Sequence, residues 1–418
     1  MTAAVSDPRR TAFLDAECER LLRFARGSVH PAGGFAWLSD QGRPMLGRPV
    51  ETWITCRMTH VFALGQLLGG TGYEALVDHG ISALRGRLRD GTHGGWFAAV
   101  DDAGPTLDDK RAYEHAFVVL ACSSATAAGH PAAEALLAEA LEVVRTRFWR
   151  EDDGLVVDVW NRSWEHLEDY RGVNANMHAV EAFLAAADVS GQEVWLQRAL
   201  RIVERVVHGW ARGSGWLLPE HFDGGWTVVP QYNWNEPAHP FRPYGVTIGH
   251  LFEWSRLALH VGAALGGAAP SWLLADARDM FEAAVRLGWS VDGAEGFVYT
   301  VDWNGTPVVR ERMHWVVTEA VAAAAALHHA TGERAYADAH ERWWNHAERL
   351  FVDREHGSWH HELDPANRPA ATVWNGRPDV YHAVQATLIP QLPLAPTLAS
   401  ALRAARGPGP HRWPGPAR

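Results

Sequence analysis

The sequence predicts an all-α fold, an (α/α)6 barrel in which six inner helices are ringed by six outer ones, with short β-hairpins between helices. Three observations carry this prediction. A glycine-aromatic hairpin segment recurs about every 60 residues along the 418-residue chain. Helical segments of two kinds, one apolar and one charged, alternate between the hairpins. No polar capping repeat marks either end, as an open solenoid of helix pairs would need and a closed ring would not.

The hairpin segments begin Gly34-Phe35-Ala36-Trp37, Gly95-Trp96-Phe97, Gly154-Leu155-Val156-Val157, Gly215-Trp216-Leu217-Leu218, Gly296-Phe297-Val298-Tyr299 and Gly357-Ser358-Trp359-His360. Their glycines lie 61, 59, 61, 81 and 61 positions apart. Several run into Asp/Asn/Gly turns (SDQGRP, DDAGPT, DWNGTP), the signature of a hairpin. Between them, HVFALGQLLGG, YEHAFVVLACSSATAAG, NMHAVEAFLAAADVSG, IGHLFEWSRLALHVGAALGG, HWVVTEAVAAAAALHHATG and YHAVQATLIPQL carry apolar residues at three- and four-residue spacing. Most are alanine-rich and end at glycine, a usual helix stop. A more charged set, such as AAEALLAEALEVVRTRFW, VWLQRALRIVERVV and RAYADAHERWWNHAERLF, supplies the outer helices. One domain over residues 1–406 is expected, followed by a disordered Pro/Gly/Arg-rich tail at 407–418.

Composition narrows the function. A net charge of −11 disfavours nucleic acid and anionic membranes as partners, because both require a basic face. No apolar run reaches the roughly 18 residues of a membrane span. The start lacks a signal-peptide pattern, and three cysteines (Cys18, Cys56, Cys122) follow no metal spacing, so a reduced, cytoplasmic chain is expected. Lys110 is the sole lysine, and no GxxxxGK[ST] loop exists, which excludes P-loop chemistry and makes a Schiff-base cofactor a poor fit. The 21 tryptophans and 23 histidines point instead to sugar-stacking faces and proton transfer near neutral pH.

Each inner helix carries strong polar groups near its start: Arg57 and His60; Tyr113, Glu114 and His115; Asn174 and His178; His250 and Glu253; His314 and Glu319; His382. Anchored on Arg57, His115, His178, His250, His314 and His382, the spacings are 58, 63, 72, 64 and 68, so these six are expected at equivalent positions converging on one end of the ring. Asn174/His178 and His250/Glu253 each share a helix face. The helix dipole disfavours imidazolium there, leaving neutral histidines able to act as bases beside donors suited to an enediolate. HExxH is absent, and these positions are histidine-rich and carboxylate-poor, so a site with no metal and no cofactor is expected; the His360-His361-Glu362 cluster is read as hairpin rim.

The segment FRPYGVTIGHLFEWSRL (Phe241 to Leu257), with its Gly-His-x-x-Glu-Trp, resembles the signature of the N-acylglucosamine 2-epimerase superfamily; ITCRMTHVFALG, GVNANMHAVEAFLAA and VYHAVQATL resemble its other site-bearing segments. The Arg-Pro-aromatic-Gly before His250 is most similar to the branch of mannose isomerases and sulfoquinovose isomerases. The resemblance implies an (α/α)6 barrel and metal-free interconversion of an unmodified monosaccharide, D-mannose with D-fructose or D-lyxose with D-xylulose, by histidine acid/base catalysis. It implies His250 and His382 as the catalytic histidines, Glu253 orienting His250, Arg57 on the oxygens near C1 and C2, and His178 with Asn174 on sugar hydroxyls. Trp315 and Trp374 are the tryptophans assigned to the sugar; His60, Tyr113, His115, His314 and Glu319 are assigned to the pocket or its surroundings.

Three other readings stay open. A 2-epimerase of the mannose/glucose or cellobiose type would use the same residues. An α/α-barrel glycosidase needs two carboxylates, for which Glu220, Asp223 and Glu236 are the candidates. A sugar-binding module needs no chemistry at all. A sulfonated or phosphorylated sugar would require an anion pocket, with Arg171, Arg242, Arg310 and Arg377 available to build it. Monomer and homodimer are left undecided.

Overall fold

The computed structural model describes residues 8–406, so the segment expected to be a disordered tail lies outside the described residues. Thirteen α-helices follow in chain order: α1 (Pro8–Ala25), α2 (Thr52–Leu67), α3 (Glu74–Arg85), α4 (Ala112–Ala127), α5 (Ala133–Val143), α6 (Val173–Ser190), α7 (Glu193–Val203), α8 (Ile248–Leu265), α9 (Trp272–Gly288), α10 (His314–Thr331), α11 (Arg334–Leu350), α12 (Tyr381–Leu388) and α13 (Leu398–Arg406).

Burial sorts them into two rings. Every residue of α2 except Gln66 is buried, and α10 buries an unbroken Val316–His328 run whose alanines let neighbouring backbones approach closely. Helices apolar all round belong inside a structure. By contrast, α11 buries only Tyr336, His340, Trp343, Trp344, His346 and Ala347, a single stripe at helical period. The inner ring runs α2, α4, α6, α8, α10, α12 and closes from α12 back onto α2. Its last outer position is filled by the first helix of the chain: α1 packs on α12, and its Arg10 reaches Glu341 and Glu348 of α11 at 3.2 and 3.0 Å. The ring is therefore fastened by joining the two ends of the sequence, and the fold is the (α/α)6 barrel.

Short two-residue strands stitch consecutive repeats together just before each inner helix. Val50–Glu51 pairs with Ala99–Val100, Lys110–Arg111 with Val159–Trp160, Arg171–Gly172 with His221–Phe222, Val246–Thr247 with Thr300–Val301, and Arg312–Met313 with Glu362–Leu363. A single bridge, Leu38 to Arg377, completes the circle. The first N–H of five inner helices, on Thr52, Ala112, Val173, Ile248 and His314, is donated to the carbonyl of Ala98, Asp158, Glu220, Tyr299 and His361 respectively. These bonds satisfy helix donors that have no partner within the helix. They also fix which positions of the repeats are equivalent.

The sole lysine belongs to this frame. Lys110 is fully buried on Asp90 at 3.0 Å, and the equivalent cations Arg312 and Arg377 make the matching buried pairs with Asp292 and Asp353. No helix among the described residues is long and apolar enough to cross a membrane.

Candidate active site

The stitches gather the N-terminal ends of the inner helices at one end of the ring, around a cavity of about 660 Å3. Arg57, Tyr113, Asn174, His178, His250, Glu253, His314, Trp315, Trp374 and His382 line it.

Two histidine–glutamate dyads face this cavity. His250 Nδ1 lies 3.0 Å from both carboxylate oxygens of the buried Glu220, and His382 Nδ1 lies 2.9 Å from Glu319 Oε1. A carboxylate at Nδ1 fixes the N–H there and leaves Nε2 as the acceptor. The Trp315 ring stands between the two imidazoles, its centroid 5.3 Å from His250 and 5.8 Å from His382. Gly249 makes this possible: a Cβ there would come within 2.2 Å of the Trp315 ring. Burial, reinforced by the nearby Arg57 charge, holds His382 well below the ordinary histidine value, so it is neutral at pH 7.

Arg57 donates to Asp379 Oδ2 at 3.1 Å and to the Tyr113 hydroxyl at 2.9 Å. Burial works against its charge, but Tyr113, Asp379 and Tyr381 outweigh burial and keep the guanidinium cationic. His178 packs on Phe117 and Tyr113 and is held well below its ordinary value by burial and by Arg57. Asn174 donates weakly to the Phe241 carbonyl at 3.4 Å. His314 stacks on His361 at 3.8 Å, and burial pushes it down to about 4.

Several expectations are corrected. Glu220, not Glu253, bonds His250; Glu253 instead lies 3.9 Å from His178 Nδ1 and 3.6 Å from Arg256 Nη2. The six anchor residues are not equivalent. By the helix-start hydrogen bonds, the sixth helix position holds Arg57, Phe117, His178, Glu253 and Glu319, whereas His250 is third, His115 fourth and His314 first. His115 does not line the cavity. Its Nδ1 bonds the Arg111 carbonyl at 2.7 Å and its Nε2 accepts the Trp96 N–H at 3.2 Å, so it is a satisfied core residue. His60 lies one turn below Arg57 and lines a different cavity.

His361 is a lining residue rather than rim, and Glu362 accepts the N–H groups of Thr372, Val373 and Trp374, each at 2.8 Å, which positions Trp374. The glycosidase carboxylates do not assemble: Glu220 serves His250, Asp223 caps its own turn through Gly225 and Thr227, and Glu236 is exposed. The proposed anion arginines are also engaged elsewhere. Arg171 donates to the carbonyls of Glu168 and Tyr170, Arg242 grips Glu168, Arg310 bonds Asp292, and Arg377 bonds Asp353.

Glu220, Tyr299 and His361 share a register that inspection of the inner helices alone misses. They are the hairpin residues whose carbonyls receive the helix-start N–H groups. With Ala98 and Asp158 they recur at intervals of 60, 62, 79 and 62, the same rhythm as the hairpin glycines. The long third interval supplies the roof: Pro240, Phe241 and Pro243, with the Phe241 ring edge-on to Trp53, Tyr113 and Trp374.

Two triads have ligand atoms within 4.8 Å of one another, His178/Glu181/Glu253 and Glu253/Glu319/His382. The Arg256 guanidinium, 2.9 Å from Glu319 and 3.6 Å from Glu253, already places a positive charge among them.

This cavity, with two histidine–glutamate pairs and a fixed arginine on an (α/α)6 barrel, fits the epimerase–isomerase class of sugar enzymes. The model of the N-acylglucosamine 2-epimerase (GlcNAc 2-epimerase) family matches residues 33–386, and the chain belongs to that family. It is 55% identical over 404 residues to a D-mannose isomerase of Thermobifida fusca, covering 96% of this chain and 99% of that one. It is 52% identical over 399 residues to a D-mannose isomerase of Pseudomonas cannabina pv. alisalensis, covering 94% and 96%. A crystal structure of a D-mannose isomerase superposes with a TM-score of 0.86 at 28% identity, covering 92% of this chain and 99% of that one.

Proposed function

We propose that this chain is an aldose–ketose isomerase that interconverts D-mannose and D-fructose through a cis-enediolate, without a metal ion. The observation that carries the reading is the pair of dyads, His250–Glu220 and His382–Glu319, facing one cavity beside the cationic Arg57. The two relatives above, more than half identical over nearly the whole chain, supply the substrate.

In this reading the open-chain aldose lies with O1 and O2 toward Arg57. His382, neutral because it is buried, takes the C2 proton at Nε2, while Glu319 stabilises the imidazolium through Nδ1. The charge developing on the enediolate oxygens meets the guanidinium, which is already held by Asp379 and Tyr113 and needs no reorganisation. His382 returns the proton to C1, and His250 moves the hydroxyl proton from O2 to O1, giving the ketose. Trp315, between the imidazoles, provides the face on which the carbon chain stacks.

A second reading, 2-epimerisation, is favoured by the similarity of the two dyads, since His250 could reprotonate C2 from the opposite face. One experiment separates the two: NMR of the EDTA-treated protein with D-mannose in D2O. Fructose as first product, with activity unaffected by EDTA, supports the isomerase; glucose deuterated at C2 as first product overturns it. Loss of activity on chelation, restored by a divalent ion, overturns the metal-free mechanism.

A further inference from the structure

A second, smaller cavity lies further along the inner helices, toward the opposite end of the ring. Its lining repeats that of the first, one helical turn down: His60 follows Arg57 by three residues, Glu181 follows His178, Arg256 follows Glu253, and Gln385 follows His382. Residues three apart stack on one helix face, so each column carries polar groups from one cavity to the next. Asp188, Thr397 and the start of α13 line the far side.

The partition between the cavities is polar. Glu253 belongs to both carboxylate–histidine triads: its ligand atom lies within 4.8 Å of those of Glu319 and His382, and likewise of His178 and Glu181. Glu181 in turn lines the second cavity, bonded to Tyr381 and Gln385. Buried polar atoms without a hydrogen-bond partner cluster along this line: His178 Nδ1, Glu253 Oε1 and Arg256 Nη2 at the partition, where Glu253 Oε1 lies at ion-pair distance from the other two (3.9 and 3.6 Å), and His60 Nε2, Ser123 Oγ and His260 Nε2 beyond it. All six residues are less than a tenth exposed. Buried polar groups in a space that admits water are satisfied by water, and several such groups together hold a connected cluster.

We propose that the second cavity is a water-filled proton path, which joins the His382–Glu319 dyad and His178 to solvent at the opposite end of the barrel through Glu253 and Glu181. Both branches, His382–Glu319 and His178, meet at Glu253, and the path leaves through Glu181 toward Asp188. Each link accepts one proton as it releases another, so no net charge accumulates and no co-reactant is needed. The role follows from geometry: a sugar filling the first cavity covers the mouth, while the lower route stays open. Burial, with Glu319 next to it, raises Glu253 well above the usual carboxyl range, in the direction that favours its protonated form.

The proposal rests on the isomerase reading, and its test has two arms. In the first, mannose is converted in D2O. The unaltered protein is expected to place deuterium at fructose C1, because the proton taken from C2 exchanges with solvent before it is returned. Glu181→Gln, which keeps the shape, and Ser123→Leu, which fills the cavity, are each expected to lower that deuterium fraction several-fold; circular dichroism checks that both variants fold. A fraction unchanged in both folded variants, or no deuterium with the unaltered protein, overturns the path. The second arm is a high-resolution crystal structure, which is independent of the sugar. Ordered waters bridging Arg256, Glu181 and His60 support the path, and a dry cavity overturns it even if mannose is not turned over.

Discussion

Replacing Glu220 by glutamine tests which carboxylate makes His250 a catalytic group. Both Glu220 oxygens lie 3.0 Å from His250 Nδ1, and the residue is 3% exposed, so solvent does not screen the pair. A hydrogen bond to a charged group is worth about 1.5–3 kcal/mol. If that energy is expressed as the imidazolium forms, its loss lowers kcat about 10- to 150-fold. Glutamine can still accept through its amide oxygen, so Glu220→Gln falls at the mild end, and Glu220→Ala, which strands the N–H, at the severe end. KM changes little, because the charge appears only in the transition state. Steady-state kinetics with mannose provide the assay, and Glu220→Asp is expected to recover part of kcat. The reasoning is refuted if Glu220→Gln keeps kcat within about twofold of the unaltered enzyme, below the loss of a charged hydrogen bond.

Three further outcomes are expected. Arg57→Lys removes the fork that bonds Asp379 and Tyr113 together, and kcat should fall about 10²–10³-fold with the far-ultraviolet spectrum unchanged; a fall of less than about tenfold would discard the oxyanion role. Lys110→Met leaves a buried carboxylate without its lysine and should destabilise the fold by about 3 kcal/mol, the lower end of the range because Arg162 still bonds Asp90; urea unfolding measures this, and kcat per folded molecule should not change. Stability should also rise with pH between about 4 and 6.5. Burial holds His60, His260, His314 and His340 down to about 4, so the unfolded chain binds more protons than the folded one across that window. Glu114 and Asp158, pushed up to about 7 by burial, and Glu253, also raised by burial, act in the opposite direction but are fewer. A urea midpoint that falls from pH 4 to 6.5 would contradict this balance.

The barrel was legible because its signals are local and repeated. Hairpin glycines at a near-constant interval, alanine-rich inner helices and singly striped outer helices each follow from neighbouring residues. The segments that build the cavity were legible for the same reason, each being a polar break at the start of an apolar helix. The assignment of His60 and His115 was not, because three residues along a helix move a side chain one turn down the axis and turn a nearby residue away from the ring's centre. His60 therefore falls into the second cavity and His115 into the packing of Trp96, Phe148 and Trp164.

By itself the sequence determined the repeat, the ring and the helix ends that meet in it, since hydrophobic period and turn chemistry act over a few residues. Tertiary structure decided the pairing of groups from different repeats. It placed Glu220 on His250 and Glu319 on His382, engaged Arg171, Arg242, Arg310 and Arg377 in the frame, and made Lys110 a structural cation. Apart from Arg171, which bonds the nearby Glu168 and Tyr170 carbonyls, those pairings span 18 to 74 residues of chain. They depend on the register of two-residue strands, which no local pattern in the sequence encodes.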